Sequence, residues 1–222
     1  LTIANQKGGV GKTTTVVNLG TALASIDKKV LIVDVDPQYN SSLSFNSYNH
    51  DLSIYKALSG EKKLLELIQE TQIPNLNIVS ACEDLAAAEY ELANDENRNF
   101  IIKEQLDQIK EKYDYIFIDT PPTLGLLTIS ALAASDEVLI PVQCEFFALE
   151  GLSKLVKTID MIKENLNPSL KINGIVLTMY DRRNSLSSLI EDEARKYFDT
   201  TVYKFNVPRN VKLSEAPSHG LP

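Results

Sequence analysis

The chain has 222 residues, 44% of them apolar, and a formal net charge of -8. That is enough apolar material for one large core, and the acidic field repels polyanions unless basic residues gather on one face. Cys82 and Cys144 lie far apart without CxxC spacing, which supplies neither a disulfide framework nor a zinc site and fits a reducing cytosol. The apolar runs fall far short of the roughly 20 residues that span a bilayer, and no charged-then-apolar leader precedes them, so the chain is expected to be soluble. Residue 1 falls inside an apolar stretch and the chain stops at "SEAPSHGLP"; 1–222 therefore reads as one domain trimmed at both ends.

"LTIAN" predicts a short strand, followed at once by a glycine-rich loop. From Lys12 onward, Val16, Leu19, Ala22, Leu23 and Ile26 recur at helical spacing. "KKVLIVDVDP" is a buried-strand run ended by Pro37, Leu52 to Gln69 mixes short helical patterns with "SG", and "LNIVSA" is another strand. "NRNFIIKEQLDQIKEKY" predicts an amphipathic helix with Phe100, Ile101, Leu106 and Ile109 on one face, leading into the strand "YDYIFIDTPP". The second half predicts helix 124–134, strand "EVLIPV", helix 149–166, strand "INGIVLTM", helix 186–198 and strand "VYKFNVP". Such alternation implies an α/β fold of the P-loop type: a mainly parallel twisted sheet with helices on both faces, binding ligands beyond the carboxyl ends of its strands.

The loop "NQKGGVGKTTT" carries the strongest chemical signal. Gly8, Gly9 and Gly11 allow successive backbone N–H groups to turn inward around phosphate oxygens. The helix beginning near Lys12 adds its positive end, Lys12 neutralises the β- and γ-phosphates, and the Thr13 hydroxyl is placed to ligate magnesium. The strict GxxxxGK[ST] pattern fails, because Gln6 holds the place of its first glycine. One lysine, Lys7, is left without a role. A magnesium shell needs an acid at the end of a nearby strand, and Asp119 supplies it. Asp34 and Asp36, two residues apart, share one strand face; Asp36 is the better placed to orient an attacking water, and Asp34 either supports it or satisfies buried backbone.

Together "KGGVGKTTT", "VDVDPQ", "IDTPP", "IPVQCEFFALEG" and "PRNVKLSEAPSHG" resemble, in order and from about residue 2 to 222, the ParA/Soj chromosome- and plasmid-partitioning ATPases of the deviant Walker A group. The resemblance implies slow hydrolysis of ATP with Mg2+, stimulated by a ParB-type centromere-binding partner. It implies a homodimer that sandwiches ATP, with Lys7 reaching the partner's phosphates and Gly8 at the point of close approach. Lys7, Gly8, Gly9, Val10, Gly11, Lys12, Thr13 and Thr14 would contact nucleotide, with Lys7, Lys12 and Asp36 carrying catalysis. Thr13 and Asp119 would hold the metal, and Pro208 and Asn210 would lie near the adenine.

The resemblance also implies dimer-dependent, sequence-independent binding of duplex DNA, which would make the protein cytoplasmic and nucleoid-associated. Its candidate residues are Arg182, Arg183, Arg195, Lys196, Lys204, Arg209 and Lys212, interleaved with Asp181, Glu191, Asp192 and Glu193. A MinD-like membrane-cycling ATPase is the alternative and would need a C-terminal amphipathic basic helix. Membrane attachment is not expected, since "QCEFFALEG" and "SEAPSHG" favour partitioning. A redox ATPase would need cysteines placed to bridge a cluster across the dimer, and none stands among Thr120, Pro121 and Pro122 after Asp119; no acceptor site of a small-molecule synthetase is recognisable.

Overall fold

The computed structural model describes residues 1–216 and 220. Among these, seven strands form one sheet in the order β3-β4-β2-β5-β1-β6-β7. They are β1 (Thr2–Ile3), β2 (Val30–Asp34), β3 (Gln69–Glu70), β4 (Leu76–Val79), β5 (Tyr115–Asp119), β6 (Glu137–Gln143) and β7 (Lys171–Thr178). Every pairing is parallel except that of β3 with β4, which caps one edge with two antiparallel residues.

Parallel strands buried on both faces read as unbroken apolar runs, and β2 is buried at all five positions. Its alternate residues serve two cores. Leu31 and Val33 pack with Ile102 of helix 101–107 and Leu127 and Ala131 of helix 126–133, while Val30 and Ile32 pack with Val16, Val17 and Ala24 of α1 (Lys12–Ala24). A third core joins β6 and β7 to helices 148–165 and 185–198 through Leu152, Leu155, Ile159, Ile190 and Ala194.

Three expectations need correction. The buried face of α1 is Val16, Val17, Gly20 and Ala24, whereas Ile26 lies past the helix and is 62% exposed. A Cβ at Gly20 would stand 3.1 Å from Ile32 Cδ1, so the helix presses its smallest residue onto β2 and the face turns toward it. The helix expected in "NRNFIIKEQLDQIKEKY" spans only Ile101–Asp107; Leu106 and Ile109 are buried as expected, but Ile102 rather than Ile101 is the other fully buried residue. "VYKFNVP" is not a sheet strand: it forms isolated bridges at Ile175 to Val202 and Tyr180 to Pro208, with the Tyr203 and Val207 N–H groups donating to the Ile175 and Leu177 carbonyls at 2.9 and 2.8 Å. Between those points Lys204 and Phe205 bow outward, exposed, and Pro208 has no N–H with which to continue a ladder. Pro217, Ser218 and His219 of the "SEAPSHG" motif lie outside the described residues.

Candidate nucleotide site

The parallel register brings the chemistry together at one end of the sheet. Asp34 and Asp119 are the last residues of adjacent strands and are paired directly across β2 and β5. β1 lies on the other side of β5, with Ile3 opposite Asp119, and feeds straight into the glycine loop.

That loop is held open by its own backbone and by neighbours. Gly9 and Gly11 have φ of 73° and 91°, a left-handed conformation that side chains disfavour. Gly8 is not in that region, which corrects its inclusion with the other two. The Lys7 N–H donates to Asn5 Oδ1 at 3.0 Å, and Thr178 Oγ1 donates to the Val10 carbonyl at 2.8 Å. With those anchors outside, the loop's remaining N–H groups are free to face inward at the start of α1, where the helix dipole favours an anion.

Lys12 is 7% exposed, and its Nζ lies 3.4 Å from the Lys7 carbonyl oxygen. Burial lowers its pKa, and the carboxylates of Asp119 and Asp36 pull it back up. It is therefore a cation facing acids inside the site. Lys7 points elsewhere. Its ammonium is paired with Glu145, on the loop after β6, and both side chains remain partly exposed. Such a pair is worth on the order of 0–1 kcal/mol, so a stronger anion would readily displace Glu145.

Asp119 is fully buried. Its Oδ2 accepts hydrogen bonds from Thr13 Oγ1 at 2.8 Å and Ser41 Oγ at 2.7 Å, whereas its Oδ1 has no partner. Burial pushes its pKa from 3.8 up to about 6, the two hydroxyls opposing. A buried carboxylate oxygen left bare beside a threonine hydroxyl fits a hard, oxygen-seeking cation such as Mg2+.

Asp34 takes the supporting role left open in the sequence. Its Oδ1 accepts the Asp36 N–H at 3.1 Å, and its Oδ2 accepts the Ser42 N–H and hydroxyl at 2.9 and 2.8 Å. Ser42 Oγ in turn accepts the Ala81 N–H at 3.0 Å. Burial, reinforced by Asp119, raises the Asp34 pKa well above its usual range. Asp36 itself is 6% exposed and accepts the Gln38 N–H at 3.0 Å, so the turn that carries it is fixed at both ends.

Beside the loop opens a cavity of about 560 Å³. Gly11, Thr14, Pro208 and Asn210 all line it, with apolar walls from Leu139 and Val176. The expected adenine-side pair is thus brought next to the phosphate loop, in a mainly apolar space large enough for a nucleoside.

The basic candidates separate. Arg182, Arg183, Lys196, Lys204, Arg209 and Lys212 are exposed. Arg183 is folded back onto Asp181 at 3.0 Å, and Lys196 lies 3.9 Å from Glu193. Arg195 departs from expectation: it pairs with Glu191 and donates to the carbonyls of Val202 and Tyr203, pinning the crossing segment to its helix.

Sequence reasoning missed Ser41, Ser42 and Glu145, each of which holds a residue it did find. Serines three and four residues beyond the "DPQ" turn are unremarkable by type, and the Lys7 to Glu145 pairing spans distant segments.

Comparison with known proteins then decides the family. A family model described as "AAA domain" matches residues 1–172. The chromosome partitioning protein ParA of Myxococcus xanthus is 51% identical over 222 residues, covering 99% of this chain and 78% of the relative. The sporulation initiation inhibitor protein Soj of Bacillus subtilis is 50% identical over 224 residues, covering 100% and 88%. The chain belongs to the ParA/Soj family. The same scaffold recurs in a cobyrinic acid a,c-diamide synthase from Mycobacterium smegmatis, solved with a bound ATP analog and magnesium. That structure matches with a TM-score of 0.89 and 32% identity, covering 99% of this chain and 91% of its own. ParA/Soj proteins are ATPases of the P-loop fold, and the seven-stranded sheet described above is that fold.

Proposed function

We propose that this chain is a partitioning ATPase that pairs around two ATP molecules and, once paired, holds duplex DNA. The observation that carries the reading is the division of labour between the two loop lysines. Lys12 already supplies the inward cation of its own site, while Lys7 stands outward on a weak, exchangeable partner. An outward lysine at the mouth of a phosphate site is suited to a second subunit's triphosphate.

Thr13 and Asp119 would hold Mg2+, which when bound screens the negative charge of the β- and γ-phosphates. The N–H groups of Gly8 to Thr14 cradle the phosphates, and Lys12 offsets their charge from within. Asp36, held by Asp34 and the Gln38 N–H, accepts a hydrogen bond from the attacking water and orients it in line with the γ-phosphate. A carboxylate is a modest water-positioner, so intrinsic turnover is slow and a ParB-type partner accelerates it. Loss of the γ-phosphate removes the anion that Lys7 reaches for, and the pair separates.

Arg182, Arg209 and Lys212 are the candidates for DNA contact, with Arg183 and Lys196 available if their acidic neighbours release them. Pairing doubles the patch, which makes retention on DNA depend on ATP in an otherwise acidic molecule. No helix among the described residues is long and apolar enough to cross a membrane. The protein would work in the cytoplasm, on the nucleoid.

The test is retention on duplex DNA with ATP, ADP or no nucleotide across a salt series, with anionic liposomes in parallel. ATP-dependent, salt-sensitive retention on DNA is expected. Retention on liposomes alone would replace partitioning by the membrane-cycling reading.

A further inference from the structure

Away from the nucleotide, three chemically different donors converge just past β4. A nitrogen of His50, the sulfur of Cys82 and a carboxylate oxygen of Asp84 all lie within 4.8 Å of one another. We propose that His50, Cys82 and Asp84 form a binding site for a divalent cation of the zinc class.

The cluster has the shape of a site. Cys82 is fully buried and forms its floor, while the side chains of His50 and Asp84 are 43% and 45% exposed and form a rim open to solvent. His50 Nε2 and Asp84 Oδ2 already meet at 2.7 Å. The two supporting segments are tied by backbone. Asn49 Oδ1 accepts the Asp51 N–H and so caps the turn 50–52, and Ser80 Oγ bonds to the carbonyls of Asn49 and Leu52. The Ile54 N–H donates to the Ser80 carbonyl at 2.8 Å, beside a bridge between Ser53 and Ser80. Ligand positions fixed in this way lower the ordering cost of binding.

The donor set chooses the ion. Mg2+ and Ca2+ take oxygen ligands, whereas one imidazole, one thiolate and one carboxylate suit Zn2+ with an open fourth position. Tetrahedral bonds of about 2.3 Å to sulfur and about 2.0 Å to nitrogen and oxygen separate the donors by roughly 3.3–3.6 Å. That spacing lies inside the present spread, and the Cys82 sulfur would exchange its 3.2 Å contact with Ser53 Oγ for the metal. The thiol proton leaves to solvent as the metal–sulfur bond forms. Cysteine spacing along the chain conceals this arrangement, since the nitrogen comes from a segment 32 positions before the sulfur.

The position gives the cation a consequence. Cys82 follows Ala81, whose N–H is held by Ser42, and Ser42 together with the Asp36 N–H is held by Asp34. A cation that fixes Cys82 to His50 therefore braces the same hydrogen-bond chain that positions Asp36.

The experiment uses the nucleotide-free chain in excess Mg2+, titrated with Co2+ as a spectroscopic stand-in for Zn2+. One equivalent should bind with an intense thiolate-to-cobalt charge-transfer band that Zn2+ abolishes. Cys82→Ser should lose the band and Cys144→Ser should keep it. His50→Gln and Asp84→Asn change exposed side chains and should each weaken Zn2+ binding by at least about tenfold. Absence of the thiolate band in the parent, or parental Zn2+ affinity in both His50→Gln and Asp84→Asn, would overturn the proposal and leave adventitious surface binding only.

Discussion

Asp119→Asn changes one buried oxygen for an amide and removes a charge from the heart of the site. In the free chain that charge is expensive: burial lifts the Asp119 pKa from 3.8 to about 6, which corresponds to about 3 kcal/mol of penalty at neutral pH. The folded chain therefore binds this proton more tightly than the unfolded one. Its favourable contribution to folding is complete below about pH 4 and is lost as pH rises through about 6. The asparagine oxygen can still accept from Thr13 and Ser41, but its NH2 replaces an atom that has no partner, at a cost of about 1 kcal/mol. Net stabilisation of about 2 kcal/mol is expected at neutral pH, measured by urea unfolding without nucleotide. The gain should turn into a loss of about 1 kcal/mol below about pH 4, where the parent carboxyl is already neutral and only the cost of the unpartnered NH2 remains. ATP with Mg2+ should stabilise the parent and not the variant. A variant less stable than the parent at neutral pH, or a gain that does not change with pH, would refute the account of Asp119 as a bare carboxylate awaiting a cation.

Three further outcomes follow from the site. Lys12→Ala should weaken ATP binding by about a hundredfold, roughly 3 kcal/mol, because it deletes the inward cation; calorimetric titration measures it, and parental affinity would remove its role. Gly8→Val should leave folding within about 0.5 kcal/mol, since φ is not left-handed there and an added Cβ would meet only Pro122 at 3.8 Å. The variant should still bind ATP yet remain a monomer, and an ATP-dependent dimer by light scattering would contradict that. Arg182→Glu with Lys212→Glu, both outside the lining of the nucleotide cavity, should weaken DNA retention at low salt and flatten its salt dependence while sparing ATP hydrolysis; unchanged retention would refute the patch.

The parts of the site that could be read from sequence are those whose chemistry is local. Strand, glycine loop and helix follow one another within residues 2–24, and Asp34, Asp36 and Asp119 announce themselves by ending apolar runs. Their convergence also follows from order alone, because parallel strands place their carboxyl ends together. What could not be read depends on contacts between distant segments. Glu145 meets Lys7 only because β6 lies beside β1, and Ser41 reaches Asp119 only because the chain turns back after β2. The buried face of α1 was misplaced for a related reason: apolar periodicity finds large residues, and the helix instead sets Gly20 against Ile32. "VYKFNVP" has the composition of a strand, but its middle bows out over the cavity, which no periodicity reports.

The most direct measurement is the mass of the Asp36→Ala chain by light scattering in ATP and Mg2+, with Lys7 intact or changed to Ala. With hydrolysis removed, the Lys7-containing chain should be a stable dimer in ATP and a monomer in ADP, and the Lys7→Ala chain should bind ATP while staying monomeric. A Lys7→Ala chain that pairs as firmly as its parent would contradict the claim that each subunit lends this lysine to its neighbour's triphosphate.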